Sequence, residues 1–391
     1  MKNVYVLGGA RTPFGTFGGA FKDVSAEELA IAASVEAMKR SGIEPSRIDQ
    51  VVLGNVVQSS ANAAYLSRHV ALRSGIPQTS TALTLNRLCG SGLQAVVSAA
   101  ESLMLGHGDV ALAGGTENMS QIPYAMHNAR FGAGIGKPDL TDMLWATLKD
   151  EYAGCGMGET AENLAADYGI AREEQDAFAL RSHSRATAAR HMFAKEIVPV
   201  SIKGRKGTTV VAQDEHIRED TSLEKLSTLK PAFRANGSVT AGNSSGINDG
   251  AAMLVLAGEE GVARQKNPPL ARIVSFGIAG VDPSRMGIGP VPALMQALSR
   301  ANLGLREMDV IEVNEAFASQ TLAVQKELRI HDDQLNPLGG AIALGHPVGA
   351  SGARLLLSAI LQLHESQGRY AAVSLCIGGG QGIAMIVERM S

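Results

Sequence analysis

One α/β pattern occurs twice in this chain, and that repetition restricts the folds open to it more than any single motif does. Near the front, a strand-like run leads to Gly54-Asn55. The segment Leu85-Asn86-Arg87-Leu88-Cys89-Gly90-Ser91-Gly92 then opens a helix, and Asp109 to Gly115 follows as strand and turn. Near the back the order returns. Val310-Ile311-Glu312-Val313-Asn314 ends a strand, Leu335 to Gly340 comes next, Gly349-Ala350-Ser351-Gly352 opens a helix, and Ala371 to Cys376 leads into Gly378-Gly379-Gly380. Two copies of one unit, about residues 1–117 and 250–391, place their equivalent turns side by side. One shared site then collects Cys89 from one copy and Asn314, His346 and Cys376 from the other.

Alternating strand-like and helix-like runs predict an α/β layered fold with helices on a sheet. Ser25-Ala26-Glu27-Glu28 fits a capping box, its helix runs to about Ser41, and Gly42 is placed to cap the end. Val51-Val52-Leu53 reads as a short buried strand and Thr81 to Leu85 as another. From Gly92 to Leu105, apolar residues recur at helical spacing and Gly106 stops the run. Residues 118–249 break the repeat with Trp145, a polar helix-like run from Arg172 to Lys195, and a charged section from Asp214 to Lys230. This large insertion is expected to lie over the site and to recognise substrate.

The residues in the glycine-rich turns are those of thiol acyl-transfer chemistry. A free thiol has a pKa of about 8.5, so a nucleophilic cysteine needs a base or a helix N-terminus beside it. Cys89 sits just ahead of a helix, and lowering its pKa by about two takes roughly 2.7 kcal/mol. The chain has 3 cysteines, which suits a reducing compartment and excludes a disulfide framework. Each could instead be a small buried hydrophobe. That reading is kept for Cys155, while the glycines around Cys89 and Cys376 favour chemistry. The histidines other than His346 are assigned to surfaces or packing, and no cluster has zinc spacing, so no metal is expected.

A length of 391 residues implies two or three domains, and a net charge of -3 offers no basic field for nucleic acid. No apolar run is long enough to span a membrane. The N-terminus does not read as a signal peptide, and Glu388-Arg389-Met390-Ser391 is not a targeting tail, so the expected compartment is the cytoplasm. Gly132 to Lys137 suggests a phosphate loop, but Pro138 stands where serine or threonine is needed. Gly378-Gly379-Gly380-Gln381-Gly382 is followed by a strand-like run, not by the helix of a dinucleotide site.

At these residues the chain resembles the thiolases over essentially its whole length. The segments that carry the likeness are Asn86 to Gly92, Gly114 to Ser120, Thr240 to Gly246, Asn314-Glu315-Ala316-Phe317, Gly345-His346-Pro347 and Cys376 to Gly382. The resemblance implies a thiolase-like fold, with two similar α/β halves in a layered α-β-α-β-α arrangement and an insertion domain. It also implies acyl exchange with coenzyme A: condensation of two acetyl-CoA to acetoacetyl-CoA, or thiolysis of a 3-ketoacyl-CoA. By that likeness Cys89 carries the acyl group, His346 takes its proton, and Cys376 moves a proton at the α-carbon. Backbone N–H groups of Cys89 and Gly378 serve one oxyanion, and His346 with a water held by Asn314 serves the other. Alone, Asn314 would read as a strand-end residue bonding its own turn.

Ser245 resembles a pantetheine contact, and Met157, Arg218, Met286 and Phe317 fall at positions like those lining the CoA and acyl tunnel. Ordinary core is the alternative for Met157, Met286 and Phe317. Gly156 departs from the histidine that biosynthetic members often carry there, which bears on short-chain preference. No tightly bound cofactor is implied, only coenzyme A and acyl-CoA as substrates. A dimer, or a tetramer of two dimers, is expected, with residues 118–150 as a contact. Rival readings are a decarboxylating ketosynthase-type enzyme, which lacks the second cysteine, a silent acyl-CoA or lipid carrier, and a thiol redox protein, which needs a Cys-x-x-Cys pair.

Overall fold

The computed structural model describes residues 2–132, 134–136, 140–204 and 207–390. Apolar runs become strands β1 (Val4–Arg11), β2 (Gln50–Gly54), β3 (Thr81–Leu85), β4 (Val110–Asn118), β5 (Asn248–Gly258), β6 (Ala271–Gly280), β7 (Val310–Val313), β8 (Tyr370–Ile377) and β9 (Gln381–Arg389). They pair in the order β7-β8-β9-β6-β1-β5-β4-β2-β3, and the short strand Gly15–Thr16 adds to β5 to complete a ten-stranded sheet.

This order reads alike from both edges. On one side β2 is parallel to β3 and β4, β4 is antiparallel to β5, and β5 to β1. On the other, β7 is parallel to β8, β8 antiparallel to β9, and β9 to β6. Leu335 bridges Ile311 in parallel, in the place that β3 takes beside β2. The centre is the antiparallel contact of Tyr5 and Val6 with Arg272 and Ala271. We propose that the two units divide after Gly258, because β5 completes the first unit and a boundary at residue 250 would cut that strand.

Seven helices matter to the site: α1 (Ala26–Ser41), α2 (Ser91–Met104), α3 (Met157–Asp167), α4 (Arg172–Ala188), α5 (Pro290–Ala301), α6 (Ala318–Leu328) and α7 (Ser351–Ser366). Strand side chains alternate between faces. Ala111, Ala113, Leu254, Leu256, Val373, Leu375, Ile383 and Met385 turn inward and share one core with α2 and α7. Val51, Leu53, Leu112 and Met253 turn outward onto α1, and Ile311, Val313 and Ile386 onto α5. The layers are therefore α1, first-unit strands, α2 with α7, second-unit strands, and α5. All of Ser351 to Ile360 is buried, as a helix covered on every side requires.

Local signals were obeyed at α1. Ser25 makes the capping box with Glu28, and Gly42 ends the helix at φ 67°. Two expectations need correction. Thr81–Leu85 is a strand but not a buried one, since it forms a sheet edge with Leu83 51% exposed. The run from Arg172 to Lys195 is two helices, α4 and Arg190–Glu196, with Ala189 capping both. The loop around Gly132 leaves Ala133, Lys137 and Pro138 outside the described residues. Among the described residues, no helix is long and apolar enough to cross a membrane and no acidic, histidine or cysteine group could hold a metal.

The two central helices touch through glycine. A Cβ on Gly352 would lie 2.4 Å from the backbone nitrogen of Leu93, and one on Gly92 would lie 2.8 Å from the carbonyl oxygen of Gly349. Backbone cannot give way as a flexible side chain can. Gly352→Ala is expected to destabilise the fold by about 1–3 kcal/mol, the usual cost of overpacking. Gly134→Ala, where the added methyl meets nothing within 4 Å, should leave the denaturant midpoint unchanged.

Candidate active site

The turn before α2 is built to present Cys89. Ser91 Oγ accepts the Arg87 N–H (2.9 Å) and donates to the Leu88 carbonyl (2.7 Å), while Asn86 Oδ1 accepts the Leu88 N–H (2.8 Å). These bonds hold Leu88 at φ 47°, a left-handed conformation that costs a non-glycine residue about 1 kcal/mol or more. Arg87 donates to Gln381 Oε1 at 2.8 Å and so ties the turn to β9 of the second unit.

His346 arrives from that second unit. Gly345 precedes it at φ 98°, and the His346 N–H donates to Asn248 Oδ1 at 2.9 Å. Its Nδ1 lies 2.6 Å from Ser351 Oγ, whose own hydrogen goes to the Pro347 carbonyl at 2.9 Å. With its hydrogen placed there, Ser351 accepts from Nδ1–H, and Nε2 keeps its lone pair as an acceptor. Asn314 Nδ2 faces that nitrogen at 3.4 Å. The buried Asn314 Oδ1 has no partner among the described residues, so it is an acceptor available to a water or a substrate group.

Cys376, at the end of β8, is buried with Met157, Met286 and Phe317. The Gly378 N–H reaches the Cys89 sulfur. The four segments thus converge, as the repeat predicts.

Electrostatics correct one expectation. Burial pushes the Cys89 thiol up to about 11, outweighing the N–H groups of Gly378 and Cys89 that favour the thiolate, and Glu117 adds to the rise. Sequence reasoning counted the helix end and missed desolvation. Burial, with Arg354 behind it, pushes His346 down to about 3. Burial also raises Cys376 well above the ordinary thiol range, and Cys89 adds to that. The resting pair is therefore a neutral thiol and a neutral imidazole.

A cavity of about 630 Å³ opens above this floor, lined by Cys89, His346, Met157, Met286, Phe317, Ser245 and Arg218 among others. Met286 and Phe317 are at once core and lining, with Phe233 edge-on to Phe317 at 5.9 Å. Asn314, Cys376 and Gly378 are not among the lining residues. Sequence reasoning missed Leu148, Lys149, Phe233 and His216, which also line the cavity, as do Trp145 of the insertion and Gly156. His216 carries no spacing signal. It lines a second, polar cavity as well, with Arg218, Lys225 and His183, and burial pushes it down to about 4.

These assignments predict how Cys89 titrates. Its alkylation by iodoacetamide should be half-maximal well above the pH of a free thiol, toward about 11. A midpoint below 8 would show that the helix end and the N–H groups outweigh burial.

Comparison with known proteins agrees with this geometry. Residues 4–260 match the family profile described as thiolase, N-terminal domain, and residues 267–389 match thiolase, C-terminal domain. The chain is 48% identical to the mitochondrial 3-ketoacyl-CoA thiolase of Rattus norvegicus over 391 residues, covering 99% of this chain and 98% of that one. It is 49% identical to the beta-ketothiolase BktB of Cupriavidus necator over 392 residues and all of both chains. Human mitochondrial 3-ketoacyl-CoA thiolase superposes with a TM-score of 0.97 at 47% identity, covering 100% of this chain and 99% of that one. The Bacillus anthracis acetyl-CoA acetyltransferase does so with the same score and coverage at 46% identity. Two family profiles that together span residues 4–389, and identity of 48–49% along the whole chain, make this protein a member of the thiolase family.

Proposed function

We propose that the protein exchanges acyl groups between thiols of coenzyme A through a thioester on Cys89, with 3-ketoacyl-CoA of more than one chain length as substrate. The observation that carries the reading is that Cys89 and His346 line one cavity, while a second buried thiol and the unpartnered Asn314 Oδ1 lie behind that lining.

In thiolysis, Cys89 Sγ attacks the 3-keto carbon as its proton passes to His346 Nε2. The bond between the α- and β-carbons breaks, its electron pair stays with the acetyl-CoA fragment, and Cys376 gives that carbon a proton. Burial keeps Cys376 protonated, which is the state this step needs. The thiol of free CoA then attacks the acyl-Cys89 thioester and gives its proton to Cys376. The bond from the acyl carbon to Cys89 Sγ breaks, Cys89 recovers its proton from His346, and the shortened acyl-CoA leaves. N–H groups of Cys89 and Gly378 hold the thioester oxyanion, and His346 with a water on Asn314 holds the enolate oxygen. Condensation of two acetyl-CoA is the same path reversed.

Arg218 and Lys225 at the polar end suit the phosphates of coenzyme A, and Ser245 suits its pantetheine arm. The apolar end favours a broad acyl range. Gly156 lines it at φ −80°, and a Cβ there would meet nothing closer than 3.6 Å, so this residue leaves room that a larger side chain would fill. The names of two relatives, 3-ketoacyl-CoA thiolase and beta-ketothiolase, favour the same reading. The acetyl-CoA acetyltransferase neighbour supports the second reading, a preference for acetoacetyl-CoA. Assembly as a dimer through the half-exposed edge strand β3, and of dimers through the exposed Tyr124 and Trp145 region, is part of the proposal.

Two measurements test it. CoA-dependent cleavage of acetoacetyl-CoA beside a medium-chain 3-ketoacyl-CoA should give kcat/KM values within about tenfold, and Gly156→His should lower the medium-chain value by about tenfold or more while sparing acetoacetyl-CoA. A strong preference of the native enzyme for acetoacetyl-CoA selects the second reading. By mass spectrometry, Cys89→Ala should form no acyl-enzyme, whereas Cys376→Ala should acylate yet fail to condense. Equal acylation of Cys89→Ala would sink the mechanism.

A further inference from the structure

The pseudo-twofold that builds the active site also builds a second place from the residues left over. Sheet register identifies it. Gly54 pairs with Gly115 in the first unit and Val313 with Ser374 in the second, so Asn55 stands where Asn314 does. Glu117, two residues past Gly115, stands where Cys376 does, two past Ser374. Helices α2 and α7 both begin Ser-Gly, which matches Gly349 to Cys89 and Asn86 to His346.

This second place is closed by a carboxylate. Glu117 is fully buried and accepts three N–H bonds, from Val56 N (2.9 Å), Val57 N (3.1 Å) and Asn55 Nδ2 (3.1 Å), with the backbone N–H of Gly349 as a fourth, weaker partner. The last partner belongs to the other unit. A Cβ on Gly349 would lie 2.6 Å from Glu117 Oε2, while the Gly349 carbonyl fills the space that side chains on Gly92 and Gly115 would occupy. Gly349 is therefore gripped on its N–H side by Glu117 and on its carbonyl side by two glycines. It lies three residues after His346 and two before Ser351, the hydroxyl that fixes the tautomer of His346.

We propose that Glu117 is a positioning residue for acyl transfer, a clamp from the first unit that seats the His346 to Ser351 turn of the second against Cys89. Glu117 acts through Gly349 and touches no substrate. Its charge has a second effect, since it opposes the Cys89 thiolate. The other titratable and charged groups here are His346 and Cys376 beside Cys89, Asp249 on β5, whose charge also raises Glu117 although its side chain turns to Ser120, and Arg354 on α7, whose charge opposes His346 protonation. Glu117 is held near 7, raised chiefly by burial, so it is ionised throughout the alkaline range in which Cys89 titrates.

This inference rests on the proposed acyl transfer only for its turnover readout; the alkylation readout needs no substrate. Glu117→Gln keeps the length but removes the charge and puts a donor against the Gly349 N–H. It should lower kcat for thiolysis by about tenfold or more with KM within about threefold, the pattern of lost transition-state positioning. The pH of half-maximal Cys89 alkylation should move down. Glu117→Asp keeps the charge but falls one methylene short, so it should lose kcat similarly while alkylating with the native profile. It also decides the matter if Glu117→Gln does not fold. Native kcat in either variant, or an alkylation profile unmoved in Glu117→Gln, overturns the proposal. Absence of thiolysis by the native enzyme would instead defeat the acyl-transfer reading, and the alkylation comparison would still report on Glu117.

Discussion

The glycine contact between the starts of α2 and α7 is the constraint on which the rest depends. Because Gly92 and Gly352 let backbone meet backbone, the N-terminal ends of the two central helices lie against each other at the pseudo-twofold. The turns before them, one ending in Cys89 and the other beginning with His346, then share one floor. Neither unit holds a site alone. A larger residue at either glycine would separate the helices and, with them, Cys89 from His346.

Charge is buried around this floor, and its net effect is to keep the reacting groups neutral. Arg354 and Glu312 face each other at 3.5 Å, both about 1% exposed, and Arg354 Nε and Nη2 find no partner among the described residues. Ionic groups placed so are poor sources of stability. Their evident consequence is electrostatic, since Arg354 stands behind His346 and opposes its protonation. A second buried cluster has a different task. Arg11 on β1 binds Asp214 through two nitrogens, at 2.6 and 2.9 Å, and Glu196 at 2.7 Å. That anchors the insertion to the sheet a few residues before His216 and Arg218, which line its polar cavities.

Much of this was legible in the sequence wherever a local rule applies. The Ser25 capping box, the Gly42 cap and the helix after Cys89 follow from spacing, and the repeat itself implied that Cys89, Asn314, His346 and Cys376 would meet. The errors arose where tertiary context decides. Thr81–Leu85 has a strand pattern, but only the sheet order makes it an edge. The helix end and N–H groups near Cys89 were foreseeable, whereas the desolvation that outweighs them depends on what closes over the sulfur. His216 and Lys149 reach the cavity from loops whose course no periodicity records. Glu117 lay within a recognised segment, Gly114 to Ser120, yet its contact with Gly349 spans the two units and leaves no trace in local spacing.

The duplication is symmetric in its strands and asymmetric in its chemistry, and the insertion accounts for the difference. It leaves the first unit after β4 and returns at β5, so its helix α3 and the Trp145 and Phe233 segments can roof only one of the two related places. Under the roof, a cavity is maintained and small groups with exchangeable protons line it. Its buried counterpart gains nothing from an open space between backbones, where unpaired N–H groups would be costly. A carboxylate fills it, accepts from three N–H groups of its own unit, and meets Gly349 of the other beside Cys89 and His346.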